Sequence, residues 1–398
     1  MRADKTAIVY FGSQVGRTLA GFIGTLYIAR VLGSGTFGTY VLAIAVVTWL
    51  HIPSNAIGAA MTKRVSEGGS RSVFLGAGFV TIGALTLGIG GLLVLFGPTV
   101  ESYIEIDNIN LLLALFVSQA FFIFITTGLD GQKQVAQSGV MRMVEQVLRT
   151  AFQISLIMVG YDVAGLFIGH VGALLVTTLV GLRLFNAGLA VPSREHFYRL
   201  VEYARYSWLS RIQSRSLDWL DTLVLGLFVP TSFIGIYEVA WTIASTLSLV
   251  TVSIATTIFP EVSELSSEGI TDRIKTILED AMRFAGLFVI PGLFGAAIIG
   301  ERVLAIYGPE FTAGITVLVV LVGTRICTSF STLFLKVLNG LDRPDLSFRI
   351  AAVFVTVNLV LNFALVATIG WLGAALATLI STGASAALSY RAVVKTIG

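Results

Sequence analysis

Charged residues are scarce in this 398-residue chain, and so are the residues on which most enzyme sites depend. Asp, Glu, Lys and Arg make up 12% of the sequence, whereas 55% is hydrophobic and the mean hydropathy is +0.87. Soluble domains carry about twice this charged fraction. The three histidines, His51, His170 and His196, are far apart, and Cys327 is the single cysteine. An intrachain disulfide is therefore excluded, and we expect no metal site.

The sequence also lacks a P-loop, a dinucleotide-binding fingerprint and a nucleophile with a neighbouring base. We therefore expect no catalytic residue, no cofactor and no nucleic-acid partner, and we predict that the protein is not an enzyme. The net charge of +3 is too small to indicate a partner by itself.

Long apolar runs recur from one end of the chain to the other and predict an all-α polytopic membrane protein with twelve transmembrane helices. The N-terminal run is expected to be a retained first helix, because Arg17 interrupts it and no small-residue cleavage site follows. The predicted spans are 6–30, 36–62, 73–96, 109–129, 139–160, 163–186, 205–229, 232–259, 281–299, 312–336, 346–369 and 371–394.

Lysine and arginine concentrate on alternate connections between these spans. With the N-terminus inside, Arg30 and Arg302 are the exceptions that fall outside, and the outer loops instead carry acids such as Glu101, Asp107 and Glu301. The positive-inside rule therefore predicts a multi-pass plasma-membrane protein with both termini cytoplasmic.

The two halves of the chain resemble each other. A shift of 197 residues lays Tyr40 on Tyr237, and a shift of 212 lays Asp130 on Asp342. Six spans per half predict two parallel repeats, and substrate sites in such proteins lie between the repeats. The predicted domains are an N-terminal lobe (1–190), a cytoplasmic interfacial linker (191–204) and a C-terminal lobe (205–398).

The stretch 206–230, YSWLSRIQSRSLDWLDTLVLGLFVP, is long enough to cross a bilayer yet contains two arginines and two aspartates. At 100° per residue its polar side chains fall within an arc of about 140°. A charged side chain at mid-bilayer costs about 2.5–3.5 kcal/mol on insertion scales, so such residues face water or a bundle interior. One wall of a polar chamber is predicted, formed by Ser207, Ser210, Arg211, Ser214, Arg215, Asp218 and Asp221.

Two more arginines lie inside predicted spans, Arg17 in the first and Arg325 in the tenth. Arginine stays protonated, and its planar fork matches phosphate oxygens. We therefore predict a cationic, substrate-binding cavity for an anionic phosphate ligand, formed by Arg17, Arg211, Arg215 and Arg325. The alternative is that these arginines pair with carboxylates and have only a structural role.

Asp218 and Asp221 have two open roles: they neutralise the arginines, or they bind a proton or Na⁺ that drives transport. Glu145 and Arg149, four residues apart, are interpreted as an ion pair at the membrane interface. Asn358 and Asn362 in the eleventh span are expected to form hydrogen bonds between helices.

Several short motifs occur in a characteristic order. They are ARVLGSGTFGTY (29–40), MTKRVSEG (61–68), EQVLR (145–149), VAGLFIGHVGA (163–173) and IYGPEFTAG (306–314). With its motifs in this order, the chain resembles the Wzx-like polysaccharide flippases of the multidrug, oligosaccharidyl-lipid and polysaccharide exporter superfamily.

This resemblance implies a V-shaped bundle that alternates between inward-open and outward-open states. It implies transfer of an oligosaccharide linked to polyprenyl or dolichyl phosphate from the inner to the outer leaflet. Arg17 matches by position a cavity arginine of the related lipid II flippases. Those proteins hold the lipid tail with a thirteenth and a fourteenth span, which we do not expect in this chain.

Two other functions were weighed against the flippase. A multidrug or cation antiporter of the same fold should have a cavity dominated by carboxylates, which the excess of arginine disfavours. A membrane glycosyltransferase or polymerase needs a sizeable outer loop with catalytic residues, and every predicted outer loop is short.

Overall fold

The protein is described by a computed structural model that covers the backbone of residues 2–68 and 71–397, and the side chains of those residues except 2–8, 206–218 and 249. Within this part of the chain every regular element is helical. The α-helices are α1 (Arg2–Leu50), α2 (Ile52–Ser66), α3 (Arg71–Leu95), α4 (Gly97–Ile104), α5 (Ile109–Gly131), α6 (Val135–Met158), α7 (Val163–Arg183), α8 (Arg194–Phe228), α9 (Thr231–Thr246), α10 (Ser248–Ser267), α11 (Thr271–Ala305), α12 (Ile315–Gly340), α13 (Pro344–Ile369) and α14 (Trp371–Ile397), and a 3-10 turn covers Pro309–Gly314.

Eight helices of the described chain are long and apolar enough to cross a membrane, or nine if α9 and α10, bent by 45°, form one broken span. Large apolar side chains such as Leu87 and Ile298 are exposed on these helices. Lipid-facing side chains have this character. The prediction of an all-α polytopic membrane protein is confirmed, whereas the number of twelve spans is not.

Helix α1 is much longer than one membrane crossing. Its apolar part, Val9–Leu50, has 42 residues. At 1.5 Å per residue that is about 60 Å, twice the thickness of the hydrocarbon core. Gly33 interrupts the helix with a φ of 79°, a conformation that glycine adopts readily. This break falls between the predicted spans 6–30 and 36–62.

A second break, at His51, divides the predicted span 36–62 between α1 and α2. Pro53 lies in the first turn of α2, where its missing N–H does no harm. The Asn55 side-chain amide donates to the His51 carbonyl at 2.9 Å, and the His51 ring stacks on Phe116. The polar residues at this break are therefore hydrogen-bonded within the bundle.

The chain forms two compact units, Met1–Arg215 and Ser216–Gly398, each with its own core. In the first unit α5 packs on α2, α3 and α7, while α6 packs on α1 and α7. In the second unit α12 contacts α9, α10, α11, α13 and α14. The division falls within α8, so the predicted lobe boundaries at 190 and 205 stay a prediction.

The connection from α7 to α8 is attached to the first unit. The Ala190 N–H donates to the Ser72 carbonyl at 3.0 Å, and the Asn186 N–H donates to Gln132 Oε1 at 2.7 Å. Leu200 and Ala204 of α8 are buried in the core of the first unit. The predicted linker 191–204 is therefore mostly the first part of α8, packed on this unit.

Gly76 of α3 allows the connection between α7 and α8 to lie close to the backbone of α3. A Cβ at this position would lie 2.1 Å from the Ala190 carbonyl oxygen, whereas a Cβ at Gly83 of the same helix would contact nothing within 4 Å. We expect Gly76→Ala to lower the free energy of unfolding by about 1–3 kcal/mol, because backbone must move to relieve the clash.

Gly83→Ala is the matched control and should leave stability unchanged or slightly raised, since alanine favours helix. Thermal unfolding of the two purified variants measures the difference. Equal melting temperatures would contradict the close packing of the connection on α3.

Candidate functional site

Asp221 of α8 is buried at the centre of a polar cluster in the second unit. Its carboxylate accepts hydrogen bonds from the Tyr237 hydroxyl on α9 (2.5 Å), the Asn362 amide on α13 (2.9 Å) and the Thr378 hydroxyl on α14 (2.7 Å). Asn358 in turn donates to Thr378 Oγ1 at 3.2 Å. The predicted interhelical hydrogen bonds of Asn358 and Asn362 are thus confirmed. We call these five residues the Asp221 cluster.

One hydrogen-bond acceptor of the Asp221 cluster has no donor among the described residues. The Asn362 side-chain oxygen is buried and has no hydrogen-bond partner among the described residues. A buried acceptor without a donor costs about 1–3 kcal/mol. The cluster therefore combines a carboxylate, a hydroxyl oxygen and an unsatisfied amide oxygen, which are the ligand types of a hard cation.

Arg325 of α12 is buried against Trp241 of α9. The guanidinium carbon lies 3.9 Å from the centroid of the indole ring, and Nη2 donates to Ser245 Oγ at 2.9 Å. Both contacts hold the cation in one position within the second unit.

A cavity of about 200 Å³ lies beside Arg325. Eight of its eleven lining residues carry a hydroxyl group and one is aromatic, and Thr378 belongs both to this wall and to the Asp221 cluster. The lining residues are Trp241, Ser248, Thr251, Val252, Thr324, Arg325, Thr328, Ser329, Thr332, Thr378 and Thr382.

The other predicted site residues are not brought together by described contacts. Arg17 lies on α1 with an exposed side chain. Arg211, Arg215 and Asp218 lie outside the residues whose side chains the structure describes. The predicted cavity of four arginines is therefore represented by Arg325 in the second unit and by Arg17 in the first. Its assembly stays a prediction.

The first unit contains a buried charged cluster that the sequence interpretation placed at the membrane interface. Glu145 and Arg149 of α6 form an ion pair at 3.5 Å, but both contact His170 of α7, at 3.5 and 3.2 Å. Glu145 is 6% exposed and His170 is 4% exposed. The predicted pairing of Glu145 with Arg149 is confirmed, and their helix face is covered by α7 and by Tyr40 of α1. Their position at the membrane interface stays a prediction.

Tyr40 completes this first-unit cluster. Its hydroxyl lies 2.8 Å from His170 Nδ1 and 2.8 Å from the side-chain nitrogen of Gln153. Because Arg149 has only donors, His170 Nε2 accepts from it, so the proton is on Nδ1 and is donated to the Tyr40 oxygen. The signal in the sequence was the spacing of Glu145, Gln146, Arg149 and Gln153, which places all four on one face of α6.

No group of three or more His, Cys, Asp or Glu side chains with the arrangement of a metal site occurs among the described residues. The charges inside the helices are instead held by tyrosine, amide and hydroxyl groups from neighbouring helices. This arrangement defines a polytopic membrane protein with buried polar clusters inside its helix bundles.

Comparison with known proteins agrees with this class. The model of the family described as "Polysaccharide biosynthesis protein" matches residues 4–266. The "Probable flippase AglR" of Haloferax volcanii is 35% identical over 99% of this chain and 84% of its own length. The "Probable low-salt glycan biosynthesis flippase Agl15" of the same organism is 28% identical over 96% and 81% of the two chains. The chain belongs to the polysaccharide biosynthesis protein family.

The fold also matches a solved structure, that of the lipid II flippase MurJ in an inward closed conformation. The TM-score is 0.82 at 16% identity, over 98% of this chain and 88% of that one. At this identity the likeness concerns the fold alone.

The Tyr40 hydroxyl is the acceptor for two buried donors, so its removal has a measurable cost. We expect Tyr40→Phe to lower the free energy of unfolding by about 1–2 kcal/mol, since His170 and Gln153 lose a partner. Tyr198→Phe is the control, because the Tyr198 side chain is 66% exposed. Chemical or thermal unfolding measures both, and an unchanged Tyr40→Phe variant would contradict the cluster.

Proposed function

We propose that this protein is a flippase that moves a lipid-linked oligosaccharide from the inner to the outer leaflet by alternating access, for the synthesis of a cell-surface glycan. The carrier is a polyprenyl or dolichyl phosphate. The observation that carries this proposal is the 35% identity, over nearly the whole chain, to a protein named as a probable flippase. Its partners are the glycan-lipid substrate and membrane lipids.

The chemistry of the membrane helices supports this function. A charged phosphate moved through hydrocarbon loses its hydration, and a polar path inside a protein lowers that cost. Arg17 on α1 supplies a permanent cation within a membrane helix of the first unit, and Arg325 on α12 supplies one in the second. We assign Arg17, together with Arg211 and Arg215, to the lipid phosphate.

A multidrug or cation antiporter of the same fold is not favoured. Such a site needs carboxylates that outnumber the cations. Of the two buried carboxylates described above, Glu145 is paired with Arg149, and Asp221 accepts three hydrogen bonds within its cluster. Neither is arranged for an organic cation.

The proposed topology has twelve transmembrane helices in two parallel six-helix repeats, with both termini cytoplasmic in the plasma membrane. The repeat is supported by two tyrosines. One shift of the sequence lays Tyr40 on Tyr237. The hydroxyl group of each tyrosine forms a hydrogen bond within a buried polar cluster of its own unit. The shift that lays Gly165 on Gly373 also lays His170 on Thr378. His170 on α7 and Thr378 on α14 each belong to one of these two clusters.

Asp221 is proposed as the site of the coupling ion. The orphaned oxygen of Asn362 and the carboxylate of Asp221 suit Na⁺, which needs several oxygen ligands at once. A proton needs only the carboxylate. The unsatisfied amide oxygen therefore favours Na⁺ over H⁺.

Transport is tested by the accessibility of a labelled polyprenyl-phosphate glycan on the outside of proteoliposomes. We expect native protein to expose the label, and Arg17→Ala or Arg211→Ala/Arg215→Ala to slow exposure by tenfold or more, because one charge-assisted contact is worth about 1.5–3 kcal/mol. Arg283→Ala is the control, since this side chain is 74% exposed.

If the folded arginine variants flip as fast as native protein, the arginines are structural. If native protein fails to flip the glycan lipid and exports a cationic dye instead, the antiporter function is correct.

Sodium binding is tested separately by unfolding in Na⁺ and in choline. A ligand present at about 100 times its Kd stabilises the native state by about 2.7 kcal/mol. We expect that increase in native protein and in Asp272→Asn, whose carboxylate is 97% exposed, but not in Asp221→Asn. Native protein that is insensitive to Na⁺, or an Asp221→Asn variant that retains the stabilisation, would contradict the site.

A further inference from the structure

Three of the threonines that line the cavity beside Arg325 donate their hydroxyl protons to the backbone of their own helix. Thr324 donates to the Val320 carbonyl at 3.0 Å, Thr328 to the Thr324 carbonyl at 2.9 Å and Thr382 to the Thr378 carbonyl at 2.7 Å. Each of these bonds is directed to the helix backbone. The oxygen lone pairs that remain are therefore available to the cavity.

Two further wall residues behave in the same way. Thr251 donates to Ser329 Oγ at 2.9 Å, and Thr378 donates to the Asp221 carboxylate. Five wall hydroxyls, on α10, α12 and α14, thus have their protons committed within the protein, so toward a ligand they can act only as acceptors. Hydrogen-bond acceptors arranged around one space require a ligand that has donors of its own.

The cavity also has donors, since the Ser329 and Thr332 hydroxyls line it as well. Arg325 supplies a guanidinium, of which one nitrogen donates to Ser245. The Ser248 hydroxyl lines the cavity, and its oxygen is buried without a hydrogen-bond partner among the described residues. Trp241 adds an aromatic wall, with the cation stacked on its ring.

This combination does not suit phosphate. A phosphate group is an acceptor at every oxygen, so it could take no hydrogen bond from the five threonines whose protons are already committed. On entering the cavity such an anion loses the hydrogen bonds that water donates to it, and Arg325 alone would not replace them. A sugar ring carries several hydroxyl groups, each of which both donates and accepts, and it matches a wall rich in acceptors that has a few donors.

We propose that this cavity binds one neutral sugar ring of the lipid-linked glycan, and that Arg325 contacts the sugar rather than the lipid phosphate. The inference rests on the proposed function and names the part of the substrate that this site takes. The volume agrees, since an engineered cavity of about 150 Å³ in another protein holds benzene, and about 200 Å³ leaves room for ring substituents.

The test compares two lipids in proteoliposomes, a polyprenyl phosphate that carries one hexose and the same polyprenyl phosphate without sugar. The variant is Thr328→Val/Thr382→Val, which removes two acceptors and nearly preserves shape. Thr368→Val is the matched control, because Thr368 is exposed and also donates to its own helix, to the Ala364 carbonyl at 3.0 Å.

We expect the double variant to flip the hexose lipid on the order of tenfold more slowly, and the sugar-free lipid at the native rate. The control should match native protein with both lipids. Equal slowing of both lipids, or an unchanged rate for the hexose lipid, would overturn the proposal. If the double variant does not fold, Ser248→Ala replaces it with the same expected pattern.

A binding measurement separates this inference from the proposed function. If native protein flips neither lipid, the melting temperature is followed in hexose and in inorganic phosphate. Stabilisation of native protein by hexose, lost in the double variant, supports the sugar site even though flipping has failed. Stabilisation by phosphate but not by hexose, dependent on Arg325, identifies an anion site and overturns it.

Discussion

A carboxylate inside a membrane helix bundle is stable only when neighbouring helices supply its hydrogen bonds, and the second unit is built around this constraint. Asp221 on α8 receives donors from α9, α13 and α14. Three helices are thereby fixed against a fourth by one side chain. The three hydrogen-bond donors to this carboxylate are neutral side chains.

The first unit also contains a buried carboxylate, Glu145, and stabilises it with a cationic side chain of the protein itself, Arg149. Glu145 is paired with Arg149, and His170 and Tyr40 supply the remaining contacts. The charges of this cluster are balanced by the protein itself. In the second unit Thr378 connects the Asp221 cluster to the hydroxyl-lined cavity.

Periodicity and charge in the sequence were enough to predict helices, membrane insertion and the polar surroundings of Asp221. They also predicted that Asn358 and Asn362 bond across helices. They predicted the pairing of Glu145 with Arg149 but not its burial against α7, because spacing along one helix does not reveal which face a neighbour covers. The cavity beside Arg325 could not be predicted either, since it depends on hydroxyl directions in three helices.

The central claim concerns the second unit. It is that Thr378 couples the binding of an ion at the Asp221 cluster to the binding of the substrate's sugar in the cavity beside Arg325. The most direct measurement is the affinity of purified protein for a hexose-linked polyprenyl phosphate with and without Na⁺, in native protein and in Thr378→Val. The account predicts that Na⁺ raises the affinity of native protein and leaves that of the variant unchanged. An equal effect of Na⁺ on both proteins, or no effect on native protein, would contradict it.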